Sequence, residues 1–182
     1  MTLHVSTAAR RILAAAAVTC AAALAPAAAL AASGPHAGSA RAATPSCATS
    51  GLDVWLNTQG QGVTGHTGYM LNFTNLSGSK CTLFGYPGVS AVTLAGTQLG
   101  SAAARSGPAP KTVTLANGAT THALVLITNP GVIPASKCGP VTAAGLRVYP
   151  PNQTHSRVAP YPFTACSKSG PIYLTISPVG FP

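Results

Sequence analysis

The chain has 182 residues and carries ten basic side chains against one acidic, a formal net charge of +9. Its single carboxylate side chain, Asp53, excludes glycoside hydrolysis by paired carboxylates and a calcium or magnesium site built on several of them. Apart from Arg10-Arg11 the basic residues stand singly (Lys80, Arg105, Lys111 and Arg147 among them), whereas nucleic-acid proteins gather such charge on one face with aromatics interleaved, so no nucleic-acid partner is expected.

The N-terminus reads as a leader. Arg10-Arg11 precedes the apolar run "ILAAAAVTCAAALAPAAAL", and Ala29-Leu30-Ala31 supplies a small-x-small site, the pattern of a secretory signal peptide over residues 1–31. A mostly alanine run interrupted by Pro26 makes a poor membrane span. Two variants stand beside this reading: a cell-envelope lipoprotein anchored through Cys20, whose preceding Ala17-Val18-Thr19 fits that signal badly, and twin-arginine export read from Arg10-Arg11. Residues 32–46, rich in Ala, Gly, Ser and Pro, bury too little surface to offset their ordering entropy and read as a disordered tail. Residues 47–182 are expected to form a single domain; removal of the leader with its two arginines leaves eight basic residues against one acidic on the chain from 32 onward.

The domain then reads strand by strand. In "LDVWLN", Leu52, Val54 and Leu56 share one face and Asp53, Trp55 and Asn57 the other. Trp55 therefore has two readings: an immunoglobulin-like core tryptophan or, if the alternation holds, a half-exposed aromatic for a carbohydrate or protein contact. "YMLNFTN" alternates with Tyr69, Leu71 and Phe73 on one face, while His66 falls in a glycine-rich loop before it. "NLSGSKCTLFGYPGVS" places a short strand between two turns, with Gly88 expected to take positive φ after Tyr86-Pro87. Asn117-Gly118, flanked by "KTVTLA" and "ATTHALVLI", signals a hairpin, because both residues tolerate positive φ. "ALVLITN" is apolar on both faces and suits a central strand. "TNPGVIPASKCGP", 128–140, is a braced loop presenting Val132, Ile133 and Lys137. "GLRVYP" and the alternation of Ile172, Leu174 and Ile176 add the last strands.

Turn makers fall every eight to twelve residues or so between these runs, and sixteen prolines with nineteen glycines leave little room for helices. The expected fold is all-β: an immunoglobulin-like antiparallel sandwich of about seven to nine strands with Greek-key connections. Four cysteines follow the leader, Cys47, Cys81, Cys138 and Cys166, an even number that implies two disulfides in an exported domain. Three pairings are possible; Cys47–Cys81 with Cys138–Cys166 joins neighbours in sequence and is favoured.

"LNFTNLSGSKCTLFGYPGVSAVTLAG", "VTLANGATTHALVLITNPG", "CGPVTAAGLRVYPPNQT" and a cysteine before "YLTISPV" occur in that order. Together they resemble an actinobacterial exported domain-of-unknown-function family, number 4232, over about Cys47 to Pro178. The resemblance implies an immunoglobulin-like sandwich that is secreted or lipid-anchored, and supplies no catalytic residues. It also implies a bacterial source, so Asn72, Asn75 and Asn152, which match the glycosylation acceptor pattern, read as chance matches.

Chemistry is sparse. A Ser-His-Asp arrangement centred on Asp53 is formally possible, but no Gly-x-Ser-x-Gly elbow accompanies it. His36, His66, His122 and His155 share no ligand spacing, and the cysteines lack the close pairs zinc prefers, so no metal or cofactor is expected. The leading expectation is a secreted, non-catalytic binding or structural module that is a monomer and meets an unknown protein or envelope polymer. Its contact residues are drawn from Trp55, Tyr86, Val132, Ile133 and Lys137. The alternatives are a protease inhibitor presenting the 128–140 loop and a hydrolase at Asp53.

Overall fold

The computed structural model describes residues 43–181. The expected leader, 1–31, with the lipid-anchor reading of Cys20, lies outside the described residues, as does the tail from 32 to 42. Backbone pairing begins at Pro45, two residues ahead of the expected domain start: Thr82 N–H donates to Pro45 O at 2.8 Å and Cys47 N–H to Thr82 O at 2.9 Å.

Strands β1 (Leu52–Leu56), β2 (Gln61–Val63) and β3 (His66–Asn75) are followed by β4 (Cys81–Phe84), β5 (Gly88–Val92) and β6 (Gln98–Leu99). Then come β7 (Ala104–Arg105), β8 (Thr112–Leu115), β9 (Thr120–Thr128), the helical turn α1 (Ala135–Cys138), β10 (Pro140–Tyr149), β11 (Arg157–Cys166) and β12 (Leu174–Ile176). The strands outnumber the expected seven to nine because β2, β6 and β7 are only two or three residues long, too short for a period to show. Pro160 and Pro162 masked β11 in the sequence. They are accommodated because β11 is the edge of its sheet, where a missing N–H goes unfelt, and because the β10–β11 register slips from Ala143↔Phe163 to Gly145↔Pro160.

One sheet runs β1-β3-β9-β12-β7, with β2 also paired to β3; a second runs β11-β10-β5-β6; β4 and β8 form a third. Strand pairing is antiparallel except between β12 and β7. The inner faces share one core: Val54, Leu71, Phe73 and Val125 from the first sheet, Leu146, Val148 and Ala159 from the second, Leu83 and Leu115 from the third. The arrangement is all-β and sandwich-like. Cys47 is bonded to Cys81 and Cys138 to Cys166, so one disulfide fixes the N-terminal approach to β4 and the other ties α1 to the end of β11. In the chain-entropy model, closing loops with separations of 34 and 28 residues contributes roughly 3.5–4 kcal/mol each.

Four local expectations are corrected. The Asn117-Gly118 turn forms, with Ala119 N–H donating to Ala116 O, but closes no hairpin: β8 pairs with β4, and β9 with β3 and β12. The reason is Asn75, fully buried at the end of β3, whose Nδ2 donates to the Leu115 and Ala116 carbonyls and so ends β8 against a side chain. In the Gly-Tyr-Pro-Gly turn the positive φ, 113°, belongs to Gly85, while Gly88 is already the first residue of β5. His66 opens β3 rather than lying in a loop, its Nδ1 3.2 Å from Thr128 Oγ1. Ile172 is exposed, and its neighbour Tyr173 is buried instead, donating from its hydroxyl to Leu99 O at 2.7 Å. No helix among the described residues is long and apolar enough to cross a membrane.

Candidate ligand-binding face

The alternation in β1 holds: Leu52, Val54 and Leu56 are buried, Asp53 and Trp55 exposed. The core-tryptophan reading is thereby overturned; Trp55 is 42% exposed on the outer face of the six-stranded sheet. The register places side chains on that face in rows. Asp53, Thr74 and Thr120 form one, and Trp55, Asn72 and His122 the next. Asn57 N–H donates to Met70 O, continuing the ladder, so Asn57, Met70 and Leu124 form a third row. Successive rows on one face are two residues apart, about 7 Å.

Hydrogen bonds hold the aromatic in place. Trp55 Nε1 donates to Thr74 Oγ1 at 3.2 Å, and Thr74 Oγ1 lies 2.8 Å from Thr120 Oγ1. Asn72, nearly buried, turns its Nδ2 to Met70 O. A flat apolar ring thus stands among hydroxyl, amide and imidazole groups.

Beyond Asn57 the edge strand breaks. Asn57 Oδ1 accepts from Gln59 N–H at 3.0 Å, an Asx turn that lifts the chain off β3 before β2 resumes the pairing at Gln61↔Gly68. Gly60 is required here, because a Cβ would stand 2.5 Å from the Tyr69 ring beneath it. The break opens a groove of about 430 Å³. Its polar rim is three amides, Asn57, Gln59 and Gln61; its floor and far wall are Met70, Leu124 and Phe181, and none of its lining residues is charged. Of the two outward, half-buried leucines of "ALVLITN", Leu124 and Leu126, the first is part of this groove, while Ala123, Val125 and Ile127 face the core.

The other sequence candidates lie elsewhere and do not converge on Trp55. Tyr86 donates from its hydroxyl to Pro108 O at 2.9 Å, and the Arg105 guanidinium carbon stands 5.7 Å from its ring centroid, so this tyrosine braces the segment around Pro108. Val132 is exposed and lies against the β2–β3 turn at Gly65, whereas Ile133 packs on the core. Lys137 sits in α1 with its N–H donated to Pro134 O. An inhibitor loop offers an extended backbone to a protease, and a helical turn at Lys137 counts against that use. The cavity under this loop, lined by Ile133, Cys138 and Tyr173 among others, measures about 40 Å³, room for water rather than a ligand. Asp53 and His122 stand two strands and one row apart, roughly 12 Å by strand spacing and rise, so they do not form a hydrogen-bonded catalytic pair.

The match to a family model is extensive. The model for the domain of unknown function DUF4232 covers residues 47–180, nearly the whole described fold. The chain belongs to the DUF4232 family. Within that match fall both disulfides, Trp55 and every groove residue except Phe181, one position beyond its end. No curated protein and no solved structure matches the chain. The groove amides escaped the sequence reading because "NTQGQG" has no strand period; only its density of amides and glycines between two strands marked it.

Proposed function

We propose that this DUF4232 protein is an exported, non-catalytic binding module of the cell envelope or extracellular space, and that it meets its partner through the outer sheet face around Trp55. Exposure of the only tryptophan on a sheet face, held by Thr74 rather than packed in the core, carries the reading. Large aromatics with an apolar body and a fixed polar edge are the side chains that most often dominate binding surfaces. Two disulfides support an oxidising destination, and the Arg10 to Ala31 leader pattern supports export.

The test is co-sedimentation of the full chain, produced with its disulfides formed, with insoluble envelope material from a host bacterium. Retention of the wild type and loss of Trp55→Ala is expected; equal behaviour of the two overturns the reading. Fractionation of the producing cells, with N-terminal sequencing, checks export: processed protein beginning near Ala32 is expected, and intact protein in the cytoplasm overturns it.

A further inference from the structure

We propose that the ligand of this face is an uncharged polysaccharide chain, stacked on Trp55 and continuing into the groove floored by Met70 and Leu124; the inference rests on the reading of the Trp55 face as the binding surface. Charge is the first argument. The protein carries ten basic residues, yet not one charged side chain lines the groove; the next row of the face is Trp55, Asn72 and His122, and the lone Asp53 stands one row further away. An acidic polymer would find its counter-charges elsewhere on the molecule, so complementarity selects a neutral ligand.

Polarity narrows the class further. Asn57, Gln59 and Gln61 each offer an amide, which donates and accepts at once, as a sugar hydroxyl does. Asn57 already spends its oxygen on Gln59 N–H, leaving its amide nitrogen to donate. Opposite the amides, Met70, Leu124 and Phe181 present an apolar surface to the C–H faces of a ring. Trp55 adds a second such surface one row away, about 7 Å along the strand. A single small molecule would occupy the groove or the tryptophan, whereas a chain of sugar rings spans both. The groove volume, about 430 Å³, lies in the range that holds small ligands.

Affinity electrophoresis tests this directly. The full, disulfide-bonded chain is run in native gels containing soluble starch, hydroxyethylcellulose, laminarin or galactomannan, with alginate as the anionic comparison. At least one neutral polymer is expected to retard the protein through Trp55, whereas retardation by alginate, held by basic residues away from the groove, is expected to be the same in the wild type and in Trp55→Ala. Trp55→Ala and, independently, Gln61→Ala are each expected to weaken the retardation by the neutral polymer about tenfold, the scale of one lost contact. Lys80→Ala, in the exposed turn beyond the far end of β3 and not among the groove residues, is expected to leave it unchanged. Retardation by none of the neutral polymers, or retardation indifferent to both groove variants, overturns the inference. If envelope material still retains the wild type and not Trp55→Ala in that case, the binding face stands and only its ligand class is wrong; if it does not discriminate, both fail.

Discussion

Tyr161 donates its hydroxyl to the hydroxyl of Tyr69 at 2.6 Å, joining the edge of the four-stranded sheet to the second strand of the six-stranded one. Their rings stand 4.9 Å apart, and Gly60 at the margin of the groove leaves room for Tyr69 to lie there. The rigid inner face is thus coupled to the break in the edge strand that opens the groove.

That pair makes the fold sensitive to alkali. Burial first, then the bond to Tyr69 and its charge, pushes Tyr161 up to about 12, and burial alone does the same to Tyr173. Unfolded tyrosines release their protons near pH 10. Between about 10 and 12 the unfolded chain has therefore lost protons that the folded chain retains, so stability is full below pH 10 and declines as pH rises. Urea midpoints are expected to be level at neutral pH and to fall above pH 10, less steeply in Tyr161→Phe. A midpoint unchanged through that range contradicts the assignment.

Asn75 is expected to be among the least replaceable residues. Its Nδ2 serves the carbonyls of Ser79, Leu115 and Ala116, the Leu115 bond fully buried, and its Oδ1 accepts from Ser77 N–H and Ser77 Oγ. Asn75→Ala strands several of these groups, at about 1–3 kcal/mol for each one left buried and unpaired. Asn75→Asp is expected to be no better, because it turns an acceptor towards three carbonyl oxygens. Equilibrium urea denaturation with the disulfides intact measures both; a loss below about 1 kcal/mol refutes the role.

The two glycines of the Gly-Tyr-Pro-Gly turn should differ in tolerance. Gly85 holds φ at 113°, whereas a Cβ on Gly88 would make only ordinary contact, 3.5 Å, with the Tyr149 Cβ. Gly85→Ala is expected to cost about 1–3 kcal/mol. Gly88→Ala is expected to stay within about 0.5 kcal/mol of the wild type. Thermal denaturation of the pair decides it, and equal losses would show that the turn does not depend on Gly85.

The legible parts of this fold were those with a period or a chemical identity. The alternation in Leu52–Leu56 and in Tyr69–Phe73 reports which side chains face the core, and it placed Trp55 outside once taken at face value. Tertiary partners were not legible. Nothing local in Asn117-Gly118 tells that Asn75, some forty residues earlier, will claim the carbonyls a hairpin would have used. Likewise Pro160 and Pro162 argue against a strand until β11 is seen to be an edge. The groove was hidden for a third reason. It arises where pairing is interrupted, between Asn57 and Gln61, and an interruption has no period to read.

Because Trp55 is the chain's only tryptophan, its emission reads the proposed site without labelling. Acrylamide should quench it readily in the free protein, as 42% exposure requires. The most direct measurement is that quenching repeated on protein bound to envelope material or to a retarding polysaccharide. The account predicts a blue-shifted emission and strong protection from the quencher on binding. Emission and quenching that stay the same while the protein is demonstrably bound would place the contact elsewhere and contradict it.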